Sequence, residues 1–289
     1  MRKHFVNLML LLCCATFVQA QRGTVLETLK VHSDILNMDR NYAIYLPAGY
    51  NEGDLSYPVL YLLHGSGDDQ TGWVQFGQVQ NIADKTIADG LAGPMIIVMP
   101  DANTGRRGYF NDIHGDFNYE DFFFKELIPH IEKTYRVRAE RRFRAVAGLS
   151  MGGGGSFFYT LHHPEMFAAA APLSAATGSW NLDEVKTRYK SDNKVSASQV
   201  EQYFKLHSIE GVLSNSSSDD LLKIRQVRWY ISCGDDDGLS EGNNLTHNAF
   251  LKNKIPHEYR IKDGAHTWTY WRMELPIVME FVSKSFMQY

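Results

Sequence analysis

Short apolar runs alternate along the chain with longer stretches in which apolar residues recur at helical spacing. The runs are rich in Val, Ile, Tyr and Phe, which favours β-strands. They predict strands at 42–46, 59–63, 95–99, 143–147, 167–172, 227–232 and 258–261. The longer stretches predict helices at 79–89, 119–135, 151–162, 242–253 and from 270 to the C-terminus. This alternation predicts a single α/β domain whose mostly parallel sheet is covered by helices on both faces.

The segment 174–226 interrupts this alternation. It is polar, contains a serine- and aspartate-rich run at 214–220, and carries only weak helix patterns at 200–206 and 220–224. We interpret it as an insertion that packs over the carboxyl edge of the sheet, either as a lid or as a pocket wall. A solvated excursion is the alternative, since long loops in compact domains are either functional or disordered.

The first twenty residues have the three parts of a secretory signal peptide. Arg2 and Lys3 precede an apolar stretch at 5–17, which is followed by a cleavage site ending at Ala20. The stretch is shorter than the roughly 20 apolar residues of a transmembrane helix, and no later segment is long and apolar enough to span. We therefore expect an exported mature domain at 21–289 that has no integral membrane segment.

Removal of the signal peptide changes the composition in two ways that bear on function. Of the three cysteines only Cys233 would remain, so no intrachain disulfide can form in the mature chain. The 29 Lys and Arg residues become 27 against 33 Asp and Glu, which gives a net charge of −6. An acidic balance of this size argues against a nucleic-acid partner.

A serine flanked by glycines follows the strand predicted at 143–147. The sequence from Gly148 to Gly152 is a Gly-x-Ser-x-Gly pattern centred on Ser150, and a predicted helix begins directly after it. A serine on a sharp strand-to-helix turn has a strained backbone, and its flanking positions must lack side chains so that strand and helix can approach. The pattern therefore predicts a nucleophile elbow. A phosphate-binding loop is the alternative, but its lysine is missing.

Two later segments supply candidates that could activate this serine. His266 follows the last predicted strand and precedes the C-terminal helix, which is the chain position expected for the general base. After the strand at 227–232 come Asp235, Asp236 and Asp237, one of which must accept the hydrogen bond of the histidine ring. These carboxylates lack the alternate spacing of a calcium loop, so we expect no metal.

These motifs resemble the esterase D family of α/β-hydrolases, in particular its secreted branch related to feruloyl and acetylxylan esterases (carbohydrate esterase family 1 type). The resemblance extends from about residue 30 to the C-terminus and includes the segments 61–65, 119–121 and 126–129. In the strand numbering of that fold, the segment 59–63 is the third strand. The insertion at 174–226 then lies between the sixth and seventh strands.

The resemblance also assigns roles to individual residues. In that family a glycine followed by two residues and an aspartate marks the acid, which implies Asp237. It implies an oxyanion hole made by the backbone NH groups of Met151 and Ser66. The implied activity is hydrolysis of feruloyl or acetyl esters of polysaccharides through a Ser-His-Asp triad and an acyl-enzyme, without a cofactor.

The sequence leaves open two alternatives to hydrolysis and the identity of the residues that bind the substrate. An acyltransferase could use the same triad, and a non-catalytic carbohydrate-binding scaffold could keep the fold. Aromatic side chains beside the motifs could stack on an aryl acyl group or a sugar. These candidates are Trp73, Tyr109, Phe110, Trp180 and Trp268. For Trp268, packing in the core is an equal alternative.

Overall fold

An eight-stranded sheet forms the centre of the molecule. The computed structural model describes residues 22–105, 108–178 and 181–287, so the predicted signal peptide and Trp180 lie outside the described residues. The strands are β1 (Thr24–Ser33), β2 (Met38–Leu46), β3 (Val59–Leu63), β4 (Ile96–Pro100), β5 (Arg144–Leu149), β6 (Ala169–Leu173), β7 (Arg228–Gly234) and β8 (Glu258–Lys262). Their spatial order is β1-β2-β4-β3-β5-β6-β7-β8. The first two strands pair antiparallel, and all pairs among β3 to β8 are parallel.

Helices cover both faces of this sheet. In the described ranges they are α1 (Gly72–Gln75), α2 (Val79–Ala88), α3 (Tyr119–Phe122), α4 (Ile128–Thr134), α5 (Met151–His162), α6 (Leu182–Tyr189), α7 (Ala197–His207), α8 (Ile209–Asn215), α9 (Ser218–Arg225), α10 (Ser240–Lys252) and α11 (Trp268–Met287). A π-helical turn at Phe123–Leu127 joins α3 to α4. No helix of these ranges has both the length and the apolar character needed to cross a membrane.

Burial on both faces explains the continuous apolar sequence of the central strands. Strands β3 to β6 are buried along their whole length. Alternate residues of β3 enter two different cores: Tyr61 and Leu63 pack with residues of α5, whereas Leu60 and Leu62 pack with residues of α2 and α11. The prediction of an α/β-hydrolase fold with a mostly parallel, doubly covered sheet is confirmed.

Strand β1 was not predicted, because its sequence lacks a continuous apolar run. Exposed and half-buried residues alternate along most of β1, and its pairing with β2 shifts register between Leu26 and Leu29. A strand at the sheet edge contributes one face at most to a core, so polar residues are tolerated there. Only Val31 and Ser33 of this strand are buried.

The segment between β6 and β7 folds into the four helices α6 to α9. Helices α7 and α9 cover the two weak patterns, and both begin with a capping box, at Ser196 and Ser217 respectively. Helices α6 and α8 had no clear signal in the sequence. Apolar residues of the segment, including Ile209, Leu213 and Ile224, are buried in the same core as α5 and the sheet.

Candidate active site

Ser150 occupies a strained turn between β5 and α5. Its backbone has φ 55° and ψ −114°, a conformation that residues with a side chain rarely adopt. The turn is held by hydrogen bonds on both sides, since Ser150 N donates to Leu173 O at 3.0 Å and Ser150 O accepts from Ala176 N at 2.9 Å. The turn therefore places Ser150 at the carboxyl edge of the sheet, directly after β5.

The glycines of the elbow are required by close contacts between backbones. A Cβ atom added at Gly148 would lie 2.5 Å from the carbonyl oxygen of Gly152. A Cβ added at Gly152 would lie 2.5 Å from the carbonyl oxygen of Leu63 in β3. Neither oxygen belongs to a side chain that can rotate away, so these positions have no room for any other residue.

His266 lies between Ser150 and Asp237 in a continuous hydrogen-bonded chain. Its Nε2 is 3.0 Å from Ser150 Oγ, and its Nδ1 is 2.9 and 3.0 Å from the two carboxylate oxygens of Asp237. Asp237 is 2% exposed and also accepts a hydrogen bond from the backbone NH of Leu239. Since a carboxylate only accepts, Nδ1 carries the proton and Nε2 is left to accept from the serine.

The other two acids of the cluster are directed elsewhere. Asp235 Oδ1 accepts from the backbone NH of Gly264 at 3.0 Å, which fastens the loop that carries His266 to the end of β7. Asp235 and Asp236 are both exposed, whereas Asp237 is buried. Of the three carboxylates, Asp237 is the one that faces the imidazole.

The turn after β3 approaches the serine from the other side. A Cβ added at Gly65 would lie 3.6 Å from Ser150 Cβ, and the next residue, Ser66, is exposed and lines a cavity together with Met151. Met151 begins α5, so its NH has no partner within the helix. Among the described residues, none accepts a hydrogen bond from the NH of Met151 or of Ser66. Both donors are therefore available to an oxyanion.

His64 orients the peptide group that carries one of these donors. The backbone NH of Ala102 donates to His64 Nε2 at 2.9 Å, so the proton of the neutral ring is on Nδ1, which donates to Gly65 O at 2.8 Å. Burial lowers the pKa of His64, which keeps the ring neutral. The C=O of Gly65 and the NH of Ser66 belong to one trans peptide group and point in opposite directions. The hydrogen bond from His64 to Gly65 O therefore also fixes the direction of the Ser66 NH.

A cavity of about 340 Å³ has Ser66 and Met151 among its lining residues. Its walls are mostly apolar and aromatic, which is typical of sites for small organic groups. It is lined by Ser66, Phe110, Met151, Phe158, Ala176, Gly178, Val185, Arg188, Tyr203, Phe204 and His207. Helices α6 and α7 of the insertion thus supply five of these residues. We call this cavity the aromatic pocket.

The structure separates the aromatic residues that the sequence suggested as substrate contacts. Phe110 lines the aromatic pocket, where it packs edge-on against Phe158 and His207. Trp73 and Tyr109 are fully buried and donate hydrogen bonds to the backbone of β3 and His64, so they are core residues and the expectation of substrate contact is corrected. Trp268 is half-buried, packs edge-on against Trp73 and does not line the aromatic pocket.

Several pocket residues were not singled out from the sequence. Val185, Arg188, Tyr203 and Phe204 lie in the polar insertion, and Phe158 lies one turn from the end of α5. The only sequence signal was the weak helix pattern at 200–206, which places apolar residues at helical spacing but does not say what they face. The positions of α6 and α7 depend on tertiary packing.

One group of side chains in the described ranges has the spacing of metal ligands. Atoms of Asp112, His114 and Asp116 lie within 4.8 Å of one another. However, both ring nitrogens of His114 lie within 2.8 Å of carboxylates, those of Asp112 and Asp192, so His114 already neutralises negative charge there. None of these residues belongs to the hydrogen-bonded chain of Ser150, and we assign no metal to them.

Fold and site together define a class of protein. A mostly parallel sheet bears a serine on a strained strand-to-helix turn, with a histidine and then a buried aspartate hydrogen-bonded behind it, as in α/β-hydrolases. The model of the Esterase family matches residues 33–280. The chain therefore belongs to this family, and it is similar to feruloyl esterases.

Relatives with known names agree with this assignment. A solved ferulic acid esterase is 33% identical, has a TM-score of 0.80, and is matched over 92% of this chain and 99% of its own. The endo-1,4-beta-xylanase/feruloyl esterase of Xylanibacter ruminicola is 40% identical over 154 residues, which are 50% of this chain and 20% of that protein. The acetyl esterase of Caldicellulosiruptor saccharolyticus is 24% identical over 78% of this chain and 83% of its own length. The match thus spans only a fifth of the xylanase/feruloyl esterase.

The contact between Gly152 and β3 yields a prediction about stability. Gly152→Ala should lower the free energy of unfolding by more than about 2 kcal/mol, because the new methyl group overlaps a backbone oxygen. Gly238→Ala is the matched control, since a Cβ there meets nothing within 4 Å. Urea unfolding of both variants measures the difference. Equal midpoints for the two variants would contradict the tight packing of the elbow.

Proposed function

We propose that the protein is a secreted esterase that hydrolyses feruloyl-type aryl esters of polysaccharides through an acyl-enzyme on Ser150. The observation that carries this proposal is the hydrogen-bonded chain from Asp237 through His266 to Ser150, whose chain neighbour Met151 lines the aromatic pocket. Nucleophile, base and orienting acid are all within hydrogen-bond distance, which is the requirement for activating a serine.

In the proposed mechanism Ser150 attacks the ester carbonyl while His266 accepts its proton. The oxyanion that forms accepts hydrogen bonds from the NH groups of Met151 and Ser66, each worth about 3 kcal/mol in the transition state. His266 then donates the proton to the leaving alcohol. Water, activated by the same histidine, hydrolyses the acyl-enzyme and releases the acid.

The aromatic pocket supports an aryl acyl group. Ser66 and Met151 belong both to the oxyanion site and to the pocket wall, so an acyl group bound to Ser150 can extend into the pocket. Phe110, Phe158 and Phe204 offer ring surfaces for an aromatic ring. Arg188 is the one permanently charged residue among the described lining residues, and it could donate hydrogen bonds to phenolic oxygens.

Two further observations support the polysaccharide and the site of action. One relative named as a feruloyl esterase is also named as an endo-1,4-beta-xylanase, and xylan is a polysaccharide. Residues 1–20 have the basic start, apolar stretch and small-residue site of an export signal. An enzyme acting on an extracellular polymer has to leave the cell, so the two parts of the proposal are consistent.

Replacement of the proposed nucleophile or base should abolish turnover. We expect Ser150→Ala and His266→Ala each to lower kcat/KM for a ferulate ester by at least about a thousandfold, because they act as one unit. Circular dichroism and urea unfolding should show an intact fold, since neither side chain is in the core. Ser218→Ala, at an exposed serine of α9, should keep the wild-type rate. A near-normal rate in either of the first two variants would exclude that residue from the mechanism.

The three neighbouring acids should differ sharply in their effect on rate. Asp237→Asn should reduce kcat by roughly a thousandfold or more, because an amide no longer fixes the required tautomer of His266. Asp235→Asn and Asp236→Asn should each cost less than about tenfold, since an amide oxygen at position 235 can still accept from Gly264. Steady-state kinetics of the three variants make the comparison. An equal loss in all three would contradict the assignment of Asp237.

The acyl preference is tested by comparing two esters. We expect a higher kcat/KM for methyl ferulate than for an acetylated xylo-oligosaccharide. Phe204→Ala should raise KM for the ferulate ester and leave that for the acetyl ester unchanged, because an acetyl group has no aromatic ring to pack against Phe204. Leu222→Ala, at an exposed leucine of the same insertion, is the control. A clear advantage for the acetyl ester would overturn the aryl assignment and leave the esterase mechanism standing.

A further inference from the structure

His162, the last residue of α5, lies between two hydrogen-bond acceptors. Its Nδ1 is 2.8 Å from Glu120 Oε1, and its Nε2 is 2.8 Å from the backbone oxygen of Leu206. A carbonyl oxygen can only accept a hydrogen bond, and the same is true of an ionised carboxylate. Both ring nitrogens must therefore donate at once, which only the protonated imidazolium can do.

The carboxylate beside His162 is ionised despite its burial. Glu120 is 7% exposed. Burial alone would raise the pKa of Glu120, but the hydrogen bonds from His162 and His163 outweigh it and hold that pKa at about 2. Burial alone would lower the pKa of His162, but the hydrogen bond and charge of Glu120 outweigh this effect and raise it above 6.5. Glu120 and His162 therefore form an ion pair.

The second bond of His162 fastens a helix of the pocket wall. Leu206 lies in the last turn of α7, where backbone carbonyls have no partner within the helix and a positive charge is favourable. The same helix carries Tyr203, Phe204 and His207, three lining residues of the aromatic pocket. His162 therefore connects α5, which begins directly after Ser150, to α7, which forms part of the wall of the aromatic pocket.

We infer that His162 is a positioning residue that holds α7 against α5 only while its imidazole is protonated, so that affinity for the aryl acyl group depends on pH. Loss of the proton leaves one ring nitrogen without a hydrogen, so one of the two bonds to Glu120 and Leu206 is lost. The inference rests on the proposed function only in taking an aryl acyl group as the occupant of the aromatic pocket.

Other titratable and charged groups near His162 do not replace this arrangement. His163 Nε2 lies 3.2 Å from the same oxygen of Glu120, and its Nδ1 lies 3.8 Å from Glu165. From α7, the ring of His207 lies 5.8 Å from that of His162 between ring centres. A separate cavity of about 570 Å³, lined by His162 and Leu206, is also bordered by Glu165, Lys205, Asp220 and Lys223. Glu120 is the carboxylate in direct contact with His162.

The direction of the pH effect follows from the raised pKa. A group whose pKa is higher in the folded than in the unfolded protein contributes its full stabilisation below the unfolded value, here about 6.5. The contribution is lost as the pH rises through the folded value. The pocket wall should therefore be firmly held below about pH 6.5 and should loosen as the pH rises through the raised pKa of His162.

The first test titrates the ring directly and needs no substrate. In the full-length protein, NMR of the histidine ring carbons should show His162 titrating above 6.5. Glu120→Gln should lower that midpoint by at least about one pH unit, because burial then acts without a counter-charge. Glu165→Gln is the matched control, since Glu165 pairs with His163 and makes no bond to His162. A wild-type midpoint at or below 6.5 would overturn the assignment of an imidazolium.

The second test measures whether substrate binding in the aromatic pocket changes as the ring of His162 titrates. Across the same pH range, KM for methyl ferulate should rise at least about threefold while kcat and the KM for an acetyl ester change less. In Glu120→Gln the rise should occur at the lower pH of its own titration. Hydrogen-exchange protection of the α7 amides, corrected for intrinsic rates, should fall through the same midpoint in the wild type, even if no ester is turned over. Protection of α7 that is constant through the midpoint would overturn the coupling, independently of the proposed activity.

Discussion

The constraint on which the structure depends is the positive φ of a serine between two tightly packed elements. Ser150 can hold φ 55° only because hydrogen bonds to the end of β6 and to the loop after it fix the turn and because glycines flank it. The same contacts pull α5 onto β3 and bring the Gly65–Ser66 turn beside the serine. Strain at one residue is thus paired with close backbone packing around it, and this packing brings Ser66 and Met151, the two proposed oxyanion donors, beside Ser150.

Two histidines with opposite protonation states support this centre. His64 is a neutral donor and acceptor, since it accepts from Ala102 and donates to Gly65, and burial keeps it so. His162 bridges two acceptors and is charged, since Glu120 compensates it. The first fixes the peptide group that carries the Ser66 NH, and the second is proposed to hold α7 in the wall of the aromatic pocket. In both cases the hydrogen-bond partners determine the protonation state.

The features that the sequence predicted well are those determined locally. The strained turn was predictable because few residues other than glycine fit the backbone geometry at Gly148 and Gly152. The doubly covered sheet was predictable because buried strands such as β3 are apolar along their whole length. The sequence missed β1, whose edge position tolerates polar residues, and the faces of α6 and α7, which tertiary packing decides. It also suggested substrate contact for Trp73 and Tyr109, because aromatic composition near a motif does not distinguish a pocket wall from a core.

In the proposed mechanism the acyl group passes through a covalent bond to Ser150. Rapid mixing with a ferulate ester, followed by acid quenching, intact-mass measurement and peptide mapping, tests it most directly. We expect a transient adduct with the mass of one feruloyl group on the peptide that contains Ser150, formed faster than it decays when the ester has a good leaving group. An adduct on another residue, or release of ferulate from Ser150→Ala at the wild-type rate, would rule out Ser150 as the nucleophile.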